Sequence, residues 1–420
     1  MNHPGVMRVW RAAAALELPV VLALAPVLLF PTPGRLALLG VLPLVWIGLW
    51  MTRQPLVPRT PANVALGLLL VMVGVSAWAT FDLTFSLGKI SGVVLGVLLF
   101  WAAARWLTSP ARLKVGVALF LAAGAGLAVI GLLGTNWVGK YVAVGGLVER
   151  LPRVIRGLPG AEEGFSPNAV AGCLVLFVPL QAALIASAAG RAWWGRAGGS
   201  SRRAALGAQG GLLLLTGGTL LLTQSRSAWA GIAMAAAVGL LYWNRWTRLL
   251  TAFALVAGSA AAFLLVNWPT SVFVRFELWS RAIDAIGDFP ITGMGMNAFR
   301  KVMPALYPSL LSSPDLDVVH AHNQWLQAAL DLGLPGLIAY VALWLILGAL
   351  VVAVCRRASD AIWRIVAAGL GGGLVAHFVF GMTDAIPLGA KVGVLFWLTA
   401  ALTVGTHHVV LAASREMRDA

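Results

Sequence analysis

Two histidines one residue apart, His320 and His322, open the stretch HAHNQWLQAALDLGLPG, and Asp315 and Asp317 stand just upstream. Imidazole is the side chain that takes and releases a proton near neutral pH, so His322 is a candidate general base for a hydroxyl. His320 raises a second possibility, a His-x-His metal site. Alternate residues share a face only in extended backbone, and a metal needs a third and a fourth ligand that this stretch does not clearly offer. A histidine at a helix start is also often just a capping or packing residue, so neither ring by itself defines a reaction.

The second chemical set is cationic. Arg226 in TQSRSAWAG falls at the tip of a tight helical pair, and Lys89 lies just inside the outward end of an apolar run. Ionisable groups at membrane depth are costly and are kept for pairing or function, although a lysine near a span end can also snorkel. Arg275 and Arg281 sit six residues apart on one predicted helix, where lipid phosphates or local pairs with Glu277 and Asp284 would also account for them. Arg150, Arg153 and Arg156 recur every three residues, which predicts one shared helical face suited to a polyanion. Lys140 belongs to the same connector; a solvated face neutralised by Glu149, Glu162 and Glu163 is the plainer alternative. No aspartate pair has the spacing of a divalent-cation site. Arginine binds phosphate through a planar fork, stays charged and can stabilise a departing diphosphate. The expectation is therefore a phosphate-bearing substrate, no metal and no cofactor.

The elements that must position these groups are membrane helices. The 420 residues are 60% hydrophobic and 11% charged, with mean hydropathy +0.88, against roughly 25% charged residues in a soluble domain. Apolar runs of about 20 residues suffice to cross a hydrocarbon core. Alternating them between basic connectors predicts about twelve spans: 15–31, 35–51, 62–80, 86–104, 115–134, 168–189, 207–224, 227–243, 249–267, 335–354, 362–383 and 392–413. The basic clusters include Arg8 and Arg11; Arg53 and Arg59; Arg105, Arg112 and Lys114; Arg191, Arg196, Arg202 and Arg203; Arg245 and Arg248; Arg356, Arg357 and Arg364; and Arg415 and Arg418. They fall on every second connector, the positive-inside pattern, which places both termini in the cytoplasm. The net charge of +15 thus reports topology and no nucleic-acid partner. Cys173 and Cys355 lie on different spans and form no disulfide or metal framework. The N-terminal MNHPGVMRVWR leads into an uncleaved first span.

The whole chain, 1–420, reads as one polytopic domain with two long outward connectors, 135–167 and 268–334, which should be working parts. In the second, SVFVRFELWSRAIDAIGDFP places Phe276, Trp279, Ile283 and Ile286 at helical spacing, so an amphipathic helix on the bilayer surface is expected, stopped by Pro290. A further helix is predicted from Asn323 to Leu332, ended by Gly333, with the next span starting at Pro335.

His322 and Asn323, then nine residues to Gly333 and two more to Gly336, resemble the signature of the O-antigen ligase family, which attaches O-antigen polysaccharide to lipid A-core in Gram-negative bacteria. GFSPNAVAGCLVLFVPL is similar to that family's Asn-headed span, LLTQSRSAWAG to its Ser-Arg turn, and RFELWSRAIDAIGDFPITGMGMNAFRK to its Arg-x-x-x-Trp to Pro-x-x-Gly-x-Gly run; HFVFGMTDAIPLGAKVGVLFW resembles its late acidic region. The resemblance implies a GT-C type membrane glycosyltransferase in the bacterial inner membrane with its active site facing the periplasm. Its donor would be an undecaprenyl-diphosphate-linked glycan and its acceptor a sugar hydroxyl of lipid A-core. It implies that His322 is catalytic and that Arg226 and Arg275 hold the diphosphate; Arg153, Arg156, Lys89 and Arg281 are further candidate ligands by their charge and position, and His320, Asn323, Asn168 and Asp384 are candidate supporting residues. A polymerase of O-antigen repeats and a ligase acting on protein Ser or Thr would share this donor chemistry. A secondary transporter would also fit twelve spans with a basic midpoint loop, and a structural membrane protein would leave the outward arginines and His322 without a purpose.

Overall fold

A computed structural model describes residues 4–158, 160–187, 199–242, 244–265, 270–308 and 318–419. Asp315 and Asp317, with Arg191 and Arg196, lie outside the described residues. All regular structure among the described residues is helical, with two isolated bridges, Thr135 to Phe165 and Leu158 to Ala161. In chain order the helices are α1 (Pro4–Ala15), α2 (Glu17–Leu29), α3 (Pro33–Leu36), α4 (Leu42–Met51), α5 (Asn63–Ala79), α6 (Leu83–Trp106), α7 (Pro110–Gly134), α8 (Val142–Val148), α9 (Pro167–Leu174) and α10 (Val178–Ala186). They continue with α11 (Gly199–Leu222), α12 (Arg226–Leu241), α13 (Arg245–Leu265), α14 (Thr270–Asp288), α15 (Phe299–Leu306), α16 (Gln324–Arg357), α17 (Ala361–Thr383) and α18 (Val394–Asp419).

Among the described residues, eight helical stretches are long and apolar enough to cross a membrane, or nine if the pair Met7–Ala15 and Glu17–Leu29, bent by 48°, forms one span. Asn63–Ala79 and Arg226–Leu241 are shorter apolar helices, and each of the twelve predicted spans overlaps a helix. The chain is an all-α, multi-pass membrane protein. Polar caps mark the starts that the sequence punctuates: Asp82 accepts from Phe85 N–H at 3.0 Å, Ser109 precedes Pro110 and accepts from Arg112 N–H, and Asp360 accepts from Ile362 N–H at 3.0 Å. Each satisfies a donor that the first helical turn leaves open.

The main core is built where α12 and α10 lie on α17, and where α16, α18 and α6 close around Phe100, Phe380 and Trp397, all fully buried. Helices come this close because small residues leave room. A Cβ added to Gly231 on α12 would stand 2.4 Å from the Ala376 carbonyl of α17. The buried carboxylate Glu17 is matched by Arg105, whose Nε lies 2.6 Å from Oε2 while its two terminal nitrogens donate to the Pro55 and Leu56 carbonyls. This pair ties α2 to α6, and losing either partner would strand a charge.

α14 is the amphipathic helix that the sequence predicts, with a different inward face. Leu278, Ala282 and Ala285 are buried, Trp279 and Ile286 are half-buried, and Phe276 and Ile283 face outward at 58% and 59% exposure. Small side chains seat the helix against the protein, and its large apolar ones are left for lipid.

α16 carries the predicted break. Gly333 has φ 69°, ψ 178° inside an otherwise continuous helical run, and Pro335 follows. The Leu330 carbonyl accepts from Met294 N–H at 2.7 Å, and Leu334 N–H donates to the Pro290 carbonyl at 2.7 Å. The bond that would close the turn from 334 to 330 is thus replaced by two bonds to the loop after α14. Gly293, φ 65°, meets Gly333 backbone so closely that a Cβ on either would overlap the other's chain. The Pro-x-x-Gly-x-Gly run and the glycine after His322 are two halves of one joint.

Candidate functional site

The site is organised around a carboxylate. Asp384 follows the last residue of α17 in extended conformation, its N–H bonded to the Phe380 carbonyl, and it is 2% exposed. Its Oδ1 accepts from Ala385 N–H at 2.9 Å and faces His322 Nδ1 at 3.2 Å and His320 Nε2 at 3.8 Å. Its Oδ2 accepts from Asn168 Nδ2 at 2.7 Å and lies 4.0 Å from a terminal nitrogen of Arg275. Burial alone would push this carboxyl up. The hydrogen bond and charge of His322, then the charge of His320 and the Ala385 N–H, outweigh burial and hold it below the usual carboxylate range.

Three elements deliver these partners. Asn168 is the second residue of α9, after Ser166 and Pro167. Arg275 stands on α14, a quarter exposed; burial lowers its pKa, Asp384 raises it and Arg226 lowers it. Asn323 caps α16 through Trp325 and Leu326 N–H and donates its own amide to the Met382 carbonyl at 3.1 Å, which binds the start of α16 to the end of α17. His322, just before the cap, has φ 49°, a left-handed backbone that non-glycine residues adopt at a penalty. His320 Nδ1 accepts the His322 backbone N–H at 3.1 Å, so the neutral His320 ring carries its proton on Nε2, toward Asp384. Burial first, and then the charge of His322, lower the His320 pKa to about 4 despite Asp384.

Arg226 opens α12 beside this group. Gln224, φ 55°, turns the chain between α11 and α12, and its Oε1 accepts from Lys140 N–H at 2.8 Å and Tyr141 N–H at 2.9 Å, while its Nε2 donates to the Val138 carbonyl. Ser227 and Thr383 pair their hydroxyls at 2.7 Å. These bonds draw the first long connector and α12 to the end of α17. Lys140 thereby comes within electrostatic range of Asp384, Arg226 and Arg275; partial desolvation lowers its pKa, Asp384 opposes that, and the two arginines reinforce it. Lys140 was visible in the sequence only as a cation on the wrong side.

The remaining predicted ligands make other contacts. Residues 151–157 are not helical, because Pro152 disfavours helix at the residue before it and Gly157 takes φ 72°. Arg150, Arg153 and Arg156 therefore share no helical face: Arg153 donates to the Trp137 carbonyl, and Arg150 and Arg156 are exposed. Arg281 lies 3.9 Å from Asp284, the local pair that its spacing allowed. Lys89 on α6 has Asp331 as its first electrostatic partner and also acts on His320.

His320, His322 and Asp384 offer ligand atoms within 4.8 Å of one another, so the fold supplies the third metal-ligating group that the local sequence lacked. The carboxylate oxygens already accept three hydrogen bonds, from His322, Asn168 and Ala385, and a terminal nitrogen of Arg275 lies 4.0 Å away.

Residues 211–341 match the family model described as O-antigen ligase. That segment is similar to the O-antigen ligase family. No curated protein matches it. The family segment carries Arg226, Arg275, His320 and His322, whereas Lys140, Asn168 and Asp384 lie outside it. Folding joins the two sets around one carboxylate. The match supports a membrane glycosyltransferase-like enzyme, and a polyprenyl-linked glycan is the type of substrate that such a family suggests.

Proposed function

We propose that this enzyme transfers O-antigen polysaccharide from undecaprenyl diphosphate to a sugar hydroxyl of lipid A-core, with inversion and without a metal. The observation that carries the reading is the contact of His322 Nδ1 with Asp384, 3.2 Å, beside Arg275 on the other carboxylate oxygen. With Nδ1–H donated to Asp384, the lone pair of Nε2 is left to accept a proton. The acceptor oxygen attacks the anomeric carbon as its proton passes to Nε2, and the bond from that carbon to the diphosphate oxygen breaks. Asp384 stabilises the imidazolium that forms. Arg226, Arg275 and Lys140 hold the diphosphate and stabilise the charge that grows on it. A single displacement inverts the anomeric centre.

In this reading the chain crosses the bacterial inner membrane about twelve times in a GT-C type arrangement, with both termini cytoplasmic. The connectors 135–167 and 268–334 build the periplasmic site. The exposed apolar stripe of α14 and the absence of a basic cluster at the Gln224 turn support that orientation.

The deciding experiment incubates the purified protein with undecaprenyl-diphosphate glycan and lipid A-core and weighs the products. A gain of one glycan on lipid A-core is expected. A gain on the free end of another glycan, or on protein Ser or Thr, would replace the acceptor while keeping the donor chemistry. No transfer to any of the three would overturn the reading.

A further inference from the structure

Trp279, which closes the Arg-x-x-x-Trp run, and Asp331, a lone acid in a long apolar helix, take no part in proton transfer or phosphate binding as described. Both act on Ala321, the fully buried residue between the two histidines. Ala321 N–H donates to Gln327 Oε1 at 2.9 Å, and its carbonyl accepts from Trp279 Nε1 at 2.9 Å. The Gln327 amide is itself fixed, since its Nε2 donates to Asp331 Oδ1 at 2.9 Å. Asp331 also takes the backbone N–H of Asn297 and has Lys89 as its first electrostatic partner. Gln327 and Asp331 are each 3% exposed, so water offers no substitute for these bonds.

We propose that Trp279 and Gln327, the latter set by Asp331, are positioning residues for glycan transfer. Gripping Ala321 at both its N–H and its carbonyl, they hold the next residue, His322, in its left-handed conformation. A strained backbone persists only where its surroundings over-determine it, and here three bonds do so: the two on Ala321 and the one from His322 N–H to His320. Trp279 lies one helical turn beyond Arg275 on α14, so the same grip sets the distance from phosphate ligand to base. Lys89 is the counter-charge of the grip. The proposal rests on His322 acting as the base.

The test uses the full-length purified protein with undecaprenyl-diphosphate glycan and lipid A-core, measuring kcat, donor KM and their pH profiles. Gln327→Leu is expected to lower kcat about tenfold or more with donor KM within about twofold, and Trp279→Phe, which keeps a ring and removes only the N–H, about tenfold. Gln327→Glu places a second carboxyl against Asp331. The pair then needs a shared proton to keep its bond, so turnover should persist at low pH and fall as pH rises. Adding Asp331→Asn returns an N–H to that bond and restores the net charge, so the double variant should recover both turnover and the wild-type pH profile. Near-normal kcat in both Gln327→Leu and Trp279→Phe, or a double variant no better than Gln327→Glu, would overturn the proposal. Deuterium exchange over residues 318–326 reports the grip even if the wild type transfers no glycan. Faster exchange in Gln327→Leu supports the grip, and unchanged exchange refutes it.

Discussion

Arg275 and Arg153 carry the same group in the two long connectors, yet the fold uses them differently. Arg275 sits on a helix whose small-residue face seats it against the protein, and its guanidinium reaches a carboxylate that two histidines also face. Arg153 sits on non-helical chain between Pro152 and Gly157, and its guanidinium is engaged by a backbone carbonyl. A cation becomes part of a site when a rigid element aims it at a shared partner. The same cation on irregular chain mostly satisfies its neighbours.

The sharpest way to break this contrast starts at the shared partner's other side. His322→Ala removes the proposed base and should lower turnover by about 10² to 10⁴-fold with expression unchanged; transfer near the wild-type rate would end the assignment. Arg275→Lys and Arg226→Lys keep charge and lose the planar fork, so a drop of about 10- to 100-fold is expected. Arg153→Lys, Arg156→Ala and Arg281→Ala should stay within about threefold. If the loop variants fall as far as the helix variants in the same assay, the contrast between the two regions is wrong.

Acid stability offers a different measure. The folded pKa of His320 is about 4, below its ordinary 6.5, so between those values the unfolded chain binds the proton that the folded chain refuses. Stability should be full above pH 6.5 and decline as pH falls toward 4, by up to about 3 kcal/mol. Asp384, depressed in the folded state, adds a loss at still lower pH as it is protonated. His320→Asn should flatten the first decline in thermal unfolding curves taken across that range, and an unchanged curve would show that the ring is not held neutral. The smallest expected effect is that of chelation: prolonged EDTA should leave transfer unaltered, whereas loss with recovery on adding metal would turn His320, His322 and Asp384 into ligands.

Local patterns carried much of this in advance. The Asn323 cap, the stop at Gly333, the amphipathic α14 and the tight turn at Arg226 all follow from neighbouring residues, and each falls where its sequence predicts. The face shared by Arg150, Arg153 and Arg156 fails because a spacing of three means something only on a helix, and Pro152 forbids one. Asp384 meets His322 across 62 residues, and no local rule spans that distance. Lys140 enters the site through Gln224, whose left-handed turn and amide bonds depend on tertiary contact and leave no periodic trace.

The joint at Gly333 bears on how the enzyme is made. Met294 and Pro290 leave the ribosome before Leu330 and Leu334, so their peptide groups wait without their final partners until the next helix arrives. Asp384 emerges later still. A nascent chain that stops short of it has both imidazoles, and the bonds that hold Ala321, but lacks the carboxylate that the two rings face.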